Sequence, residues 1–193
     1  MIIKTITILG GAEWKEDEAV YKETFTVCKA LALSGYKICN GGGPGVMRAA
    51  TEGAHEGGGK VIGVTMHPKY HHPHFEGRDP DNNFDEEVDC GGDYFDRTKR
   101  LLQLGDVHMV FKGGTGTISE FGMSWAVSRI HEGHNKPMLL YGNFWKDIIE
   151  AFKTHMYMRP DEFKLYKIAT SSEEVLHFVK DLESLESPFP VPQ

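Results

Sequence analysis

The sequence predicts an α/β protein built on a doubly wound, mainly parallel sheet with helices on both faces. Two observations support this fold class. Short apolar runs rich in β-branched residues recur along the chain, and each is followed by a glycine or polar turn and then by a longer segment of helical periodicity. The runs are apolar at consecutive positions, which is typical of parallel strands buried on both faces.

The pattern defines the elements in chain order. The predicted strands cover Ile6–Leu9, Tyr36–Cys39, Lys60–Val64, Val107–Phe111 and Met138–Tyr141. The predicted helices cover Asp17–Ser34, Gly45–Glu56, Tyr94–Leu104, Thr117–Ile130, Trp145–Thr154 and Ser172–Glu183. Glycines follow three of the predicted helix ends, where this residue commonly stops a helix: Gly35, Gly57 and Gly105.

Length and composition favour one soluble domain. A chain of 193 residues buries roughly 70% of the surface that its unfolded form exposes. No linker or repeat divides it, so we expect a single domain over residues 1–193 with an extended tail at about 187–193. The three cysteines are far apart, no apolar stretch approaches the ~20 residues of a membrane helix, and the start lacks a signal-peptide pattern. We therefore expect a cytoplasmic protein without a membrane partner.

The charge balance bears on the kind of ligand. The chain has 21 basic and 28 acidic residues, a net charge of -7, and no run of Lys or Arg. Such a balance disfavours a nucleic acid polymer as partner. A small anionic ligand remains compatible with it.

Two glycine clusters follow predicted strands, at the turns into helices. They read NGGGPGVMRAA, from Asn40 to Ala50, and FKGGTGTISEFG, from Phe111 to Gly122. Ligands of a parallel sheet bind beyond the carboxyl ends of its strands, and the free N–H groups of a helix start favour an anion there. One cluster alone would indicate a tight turn, but two at equivalent ends predict a phosphate site. The glycines concerned are Gly42, Gly43, Gly45, Gly113, Gly114 and Gly116.

Common site motifs are absent from the sequence. Neither cluster is G-x-x-x-x-G-K-[ST], and Ser119 stands where the dinucleotide fingerprint has its third glycine. No serine lies in a G-x-S-x-G turn, and HEGHN, from His131 to Asn135, lacks the second histidine of H-E-x-x-H. The ATPase, NAD-dependent, esterase and zinc-protease classes therefore lose support.

Four segments together resemble the LONELY GUY (LOG) family, long labelled lysine decarboxylase-like. They read GGGPGVM, GGGKVIGVT, DRTKRLLQLGD and KGGTGTISE. Characterised members hydrolyse cytokinin nucleotides to free base and ribose 5-phosphate. The family pattern P-G-G-x-G-T-x-x-E is matched from Gly113 to Glu120, and Arg97 occupies the place of the upstream arginine.

The sequence also departs from that family pattern. Lys112 replaces the proline of the glycine motif, Thr98 replaces the lysine after the arginine, and the first turn reads GGAEW instead of Gly-Ser-Ser. Lys112 has two interpretations, a loop adjustment or an added phosphate contact. The departures concern the identity of the substrate.

The resemblance implies a nucleoside 5′-monophosphate phosphoribohydrolase acting on AMP or an N6-modified AMP, with no cofactor and no metal. Its catalytic residues would be Glu120, as the carboxylate beside the ribose, and Arg97, which binds the nucleotide and positions Glu120. Thr117 either caps the helix or donates to the phosphate. The phosphate would be held by the glycines of both clusters together with Arg100, Thr115 and Thr117.

Two further expectations concern alternatives and assembly. Related proteins are molybdenum-cofactor carriers, so a non-catalytic nucleotide or cofactor carrier is the rival function. The helix ISEFGMSWAVSRI is apolar on more than one face, which, with the resemblance, predicts a homodimer. The histidine-rich loop from His67 to His74 matches no closed zinc spacing, so we expect no metal site there.

Overall fold

The computed structural model describes residues 2–70, 77–130 and 136–184. Three features of the sequence analysis lie outside this range: the HEGHN segment, the tail at 187–193, and His71, His72 and His74 of the histidine-rich loop.

The described strands form one parallel sheet of seven strands, in the order β4-β3-β2-β1-β5-β6-β7. The strands are β1 (Thr5–Leu9), β2 (Lys37–Asn40), β3 (Val61–Thr65), β4 (Glu86–Asp89), β5 (Val107–Val110), β6 (Met138–Tyr141) and β7 (Tyr166–Ala169). The chain runs outward from β1 to β4, then returns to pair β5 with β1. The switch point of the sheet therefore lies between β1 and β5, where ligands of such sheets bind.

Six helices cover the two faces. They are α1 (Ala19–Leu33), α2 (Val46–Glu56), α3 (Tyr94–Leu104), α4 (Thr115–Ile130), α5 (Phe144–His155) and α6 (Ser172–Ser184), with a short 3-10 helix at Glu162–Lys164. Residues of α1, α2 and α6 share one apolar core with one face of the sheet, and residues of α3, α4 and α5 share a second core with the other face. This confirms the predicted doubly wound α/β, Rossmann-like fold.

The predicted elements agree closely with the structure, with two omissions. All five predicted strands and six predicted helices are present, and the helix ends differ by at most two residues. Gly35 has φ +90, the left-handed conformation that ends α1. The omitted strands are β4 and β7, the two edges of the sheet. The sequence EEVD of β4 is largely exposed, so an edge strand of this kind has no apolar run to reveal it.

Candidate functional site

The site lies where the turns after β1, β2 and β5 pack against one another. Gly11, in the turn after β1, donates its N–H to the carbonyl of Lys112 at 3.2 Å and accepts from the N–H of Val46 at 3.0 Å. The indole N–H of Trp14 donates to the same Lys112 carbonyl at 2.9 Å. The GGAEW turn thus joins the two glycine clusters, which the sequence analysis treated as separate features.

Several glycines serve this packing. A Cβ on Gly113 would lie 2.1 Å from the Thr117 hydroxyl oxygen and 2.5 Å from the N atom of Gly11. A side chain there would separate the two turns. A Cβ built on Gly42, Gly43 or Gly45 would likewise lie within 2.9 Å of a neighbouring atom. These four glycines allow the turns to pack closely, but they are not among the described residues that line the cavity.

A cavity of about 250 Å³ opens beside these turns. Of the residues predicted from the sequence, it is lined by Arg97, Gly114, Thr115, Gly116, Thr117 and Glu120. The structure therefore brings the two predicted catalytic residues and the start of α4 to one cavity. Arg100 is exposed on α3 and is not part of the described lining.

Arg97 enters the cavity from the first turn of α3. The carboxylate of Asp93 caps this helix by accepting from the N–H groups of Phe95 and Asp96. The Arg97 side chain donates from Nε to the Val64 carbonyl at 3.0 Å and from Nη2 to the Gly41 carbonyl at 2.8 Å. Two backbone carbonyls therefore fix the plane of the guanidinium, and Nη1 faces Glu120.

Gly41 is required for this arrangement, and no motif in the sequence points to it. A Cβ at this position would lie 1.9 Å from Nη2 of Arg97 and 2.8 Å from its Cζ. Any side chain at residue 41 would displace the guanidinium. The first glycine cluster thus makes room for an arginine 56 residues further along the chain.

Glu120 is the buried carboxylate of the site. It lies in the second turn of α4, only 7% exposed, with Oε1 3.8 Å from Nη1 of Arg97. Burial raises the pKa of Glu120 to about 7, and the Arg97 charge opposes this rise only in part. Near neutral pH the carboxyl is therefore divided between its protonated and ionised forms, as a residue that exchanges protons requires.

The start of α4 forms one wall of the cavity. Gly114 holds the N-cap position, because its carbonyl accepts from the N–H of Ile118 at 3.0 Å. No heavy atom lies within 4 Å of where its Cβ would stand, so the backbone is open there. Thr117 lies within the first turn and lines the cavity, and its hydroxyl oxygen lies close to Gly113 in the preceding turn. The free N–H groups and the dipole of this helix favour an anion.

Tyr94 ties the two helices of the site together and was missed from the sequence. Its hydroxyl donates to the Gly116 carbonyl at 3.2 Å and is hydrogen-bonded to the Ser119 hydroxyl. Tyr94 also lines the cavity. An aromatic residue at a helix start gives no motif signal, so only the fold reveals this contact.

Lys112, which replaces the proline of the family pattern, lies near two aromatic rings. Its ammonium lies 5.7 Å from the ring centroids of both Trp14 and Phe144. Lys112 is not among the described residues that line the cavity. Of the two interpretations open from the sequence, these contacts favour the loop adjustment.

The remaining lining residues include Glu13, Met47, Met66 and Arg78. Met47 is a buried residue of α2, whereas Met66 and Arg78 belong to a loop region without a motif. Within the described residues, no group of three or more His, Cys, Asp or Glu could hold a metal ion. None of the described helices has the length and hydropathy needed to cross a membrane.

Solved structures with the same fold include cofactor-binding proteins. The molybdenum cofactor binding protein of Rippkaea orientalis superposes with a TM-score of 0.70 at 21% identity, covering 95% of this chain and 99% of that one. The molybdenum cofactor carrier protein of Chlamydomonas reinhardtii gives a TM-score of 0.64 at 20% identity, covering 95% and 100% of the two chains. At these identities the likeness concerns the fold alone.

Sequence comparison defines the family. An uncharacterised protein of Archaeoglobus fulgidus is 26% identical over 174 residues, which cover 89% of this chain and 99% of the relative. The model of the SLOG cluster4 family matches residues 3–156. These findings support the wider SLOG and LOG-like superfamily, and not in particular the LOG family that the motifs resemble. Since the match spans most of its length, the chain belongs to the SLOG cluster4 family.

Proposed function

We propose that the protein hydrolyses the N-glycosidic bond of a purine nucleoside 5′-monophosphate, giving the free base and ribose 5-phosphate. The observation on which this depends is the buried Glu120 beside Arg97, in a cavity whose wall is the start of α4. A helix start for the phosphate and a carboxylate one turn further along the same helix match the two ends of a ribose 5-phosphate group.

The phosphate would lie against the N–H groups of Thr115, Gly116 and Thr117. Thr117 belongs to the same turn and lines the cavity, so its hydroxyl would be a further donor for the phosphate. This position uses the helix dipole and requires no lysine, which agrees with the absence of a P-loop motif.

Glu120 would act on the ribose. Breaking the bond between the anomeric carbon and the base nitrogen leaves positive charge on the sugar, which an ionised carboxylate stabilises. Water then forms a bond to the anomeric carbon, and its released proton passes to the carboxylate and on to the departing base. A pKa near 7 allows Glu120 to accept and return that proton at neutral pH.

Arg97 would position this carboxylate. Its Nε and Nη2 atoms are already hydrogen-bonded to backbone carbonyls, so its charge is held in place before a ligand enters. A preorganised charge costs little reorganisation during bond cleavage. Arg97 also lines the cavity and is within reach of a bound nucleotide.

The test is a base-release assay with a panel of nucleoside 5′-monophosphates and the matching nucleosides. Loss of the phosphate removes several charge-assisted hydrogen bonds of about 1.5–3 kcal/mol each, so kcat/KM for adenosine should be lower than for AMP by at least about a hundredfold. Equal turnover of adenosine and AMP would contradict the phosphate assignment.

The second candidate function is that of a non-catalytic nucleotide or molybdenum-cofactor carrier. It is favoured by the fold shared with the carrier proteins of Rippkaea orientalis and Chlamydomonas reinhardtii. The same assay separates the two candidates. A carrier would bind the nucleotide or cofactor and release no base from any member of the panel.

We also propose that the protein forms a homodimer through α4. One side of this helix is buried against the sheet, including Phe121 and Trp125. The opposite side exposes Ile118, Gly122, Ala126 and Ile130, spaced four residues apart. A small residue at 122, with open space around it, permits a second helix to approach closely, and the flanking isoleucines supply apolar surface.

A further inference from the structure

Arg78 lines the cavity from the segment between β3 and β4 and has no part in the mechanism described above. It is held on two sides. Its Nε lies 3.2 Å from Oε1 of Glu87, and its Cζ lies 5.0 Å from the centroid of the Phe84 ring. Its two Nη atoms make no hydrogen bond to any residue that the structure describes. The side chain is thus anchored, with its terminal donors left for a ligand.

The residues that anchor Arg78 are themselves fixed by the sheet. Glu87 accepts a hydrogen bond from the hydroxyl of Thr65, a buried residue of β3, at 2.8 Å. The Phe84 ring lies on Gly63 of β3, where a Cβ would approach the ring within 2.5 Å. The Arg78 side chain is therefore held in place by residues that are themselves packed or hydrogen-bonded to β3.

This support lies far from the phosphate position. The sheet order places β3 three strands away from β5, beyond which α4 begins. At about 4.8 Å per strand, β3 and β5 are about 14 Å apart. A nucleotide whose phosphate lies at the start of α4 would therefore present its base, and not its phosphate, to Arg78.

The charges around Arg78 favour a neutral partner over a second phosphate. Glu87 already offsets the charge of Arg78, and β4 also includes the acidic residues Glu86 and Asp89. Glu13 lines the cavity as well. A further dianionic group in these surroundings would be repelled, whereas a neutral hydrogen-bond acceptor would not. Met47 and Met66 supply apolar surface for the faces of a heterocycle.

We propose that Arg78 selects the base, and that the preferred substrates are 6-oxopurine nucleotides such as GMP and IMP. A guanidinium forms two parallel hydrogen bonds to O6 and N7 of such a purine, whereas adenine presents an amino donor in place of O6. This inference uses the nucleotide orientation of the proposed function. It replaces AMP, which the family resemblance implied, by a class of base chosen from the contacts of this chain.

The test is calorimetric titration of the full-length protein with GMP, IMP and AMP. The wild type should bind GMP and IMP roughly tenfold to a hundredfold more tightly than AMP. Arg78→Ala should lower the affinity for GMP to that for AMP, and leave AMP nearly unchanged. Arg78→Lys keeps the charge but lacks the two-pronged donor, so it should also lose most of the preference. Lys167→Ala, an exposed residue of edge strand β7, is the matched control and should retain it.

Two ligand variants refine the result. In the wild type, 7-deaza-GMP should bind more weakly than GMP, since it lacks N7. GDP that binds more tightly than GMP, with the gain lost in Arg78→Ala, would show that Arg78 reads a second phosphate and would overturn the proposal. Equal affinities for GMP and AMP in the wild type, or equal losses for both in Arg78→Ala, would also overturn it.

Base release is measured separately in the same samples. A GMP preference that depends on Arg78 without any base release would refute the hydrolase function and leave the role of Arg78 standing. Base release without a preference for oxopurines would support the hydrolase function and refute the role of Arg78. No binding of any nucleotide would refute both.

Discussion

Replacing Glu120 by glutamine should make the protein more stable at alkaline pH while removing the proposed hydrolase activity. The change keeps the shape of the side chain and removes its ionisation. Burial raises the pKa of Glu120 from its ordinary 4.5 to about 7. The folded protein therefore holds a proton that the unfolded chain releases between these two values.

The sign and size of the effect follow from this difference. Because the folded-state pKa is the higher one, the contribution of Glu120 to stability is complete below about pH 4.5 and is lost as the pH rises to about 7. Each pKa unit corresponds to about 1.4 kcal/mol, so the loss amounts to about 3 kcal/mol. Glu120→Gln has no such loss. Its free energy of unfolding, relative to the wild type, should rise by about 3 kcal/mol across this range.

Urea denaturation of both proteins from about pH 4 to about pH 8 measures the difference, because other titrating groups are common to both and cancel. The matched control is Glu23→Gln, which makes the same substitution at an exposed position of α1. Parallel stability curves for the wild type and Glu120→Gln would show that Glu120 is not a destabilised carboxylate, and would remove the basis for its catalytic role.

The remaining predictions concern the other parts of the site. The kcat/KM for a 5′-nucleotide should rise with pH to a plateau above about pH 7, since the proposed role requires the ionised form of Glu120; a profile that falls over this range would contradict that role. In single-turnover assays beside binding titrations, Glu120→Gln should lower the rate with little change in affinity, whereas Arg97→Ala should lower both. Lys99→Ala, at an exposed position of α3, should lower neither. Gly41→Ala should lower activity at least tenfold by displacing the Arg97 guanidinium; wild-type rates would show that the guanidinium position is immaterial. Gly122→Arg should convert a dimer to a monomer in light scattering, and a wild type that is already monomeric at micromolar concentration would refute the dimer.

The sequence predicted those features of the fold that depend on local pattern. Consecutive apolar residues located the buried strands, and glycines such as Gly57 and Gly105 located the helix ends, because burial and chain reversal impose their own composition. The β4 strand was not predicted because its residues face solvent at a sheet edge. The pairing of Arg97 with Glu120 was anticipated only through the family resemblance. No local rule brings together residues 23 positions apart on different helices.

The contacts that build the site could not be predicted for a different reason. Gly41 makes room for Arg97 across 56 residues, and Trp14 joins the first turn to Lys112 across 98. Each contact depends on which strands are neighbours in the sheet, and the sequence gives no local signal of that order. The same holds for Arg78, whose position beside the cavity depends on the pairing of β3 with the unpredicted β4.

The energetics of Glu120 bear on the choice between hydrolase and carrier. A buried carboxylate with a pKa near 7 costs the folded protein about 3 kcal/mol at alkaline pH, a large part of the 5–15 kcal/mol by which domains are typically stable. A carrier gains nothing from this cost, since a glutamine at residue 120 would fill the same space and would not repel a bound phosphate. A hydrolase gains a carboxylate that faces the ribose without solvent, where its charge acts most strongly on the transition state. The free-energy cost of keeping an ionised Glu120 inside the cavity is therefore the physical argument that favours the hydrolase proposal.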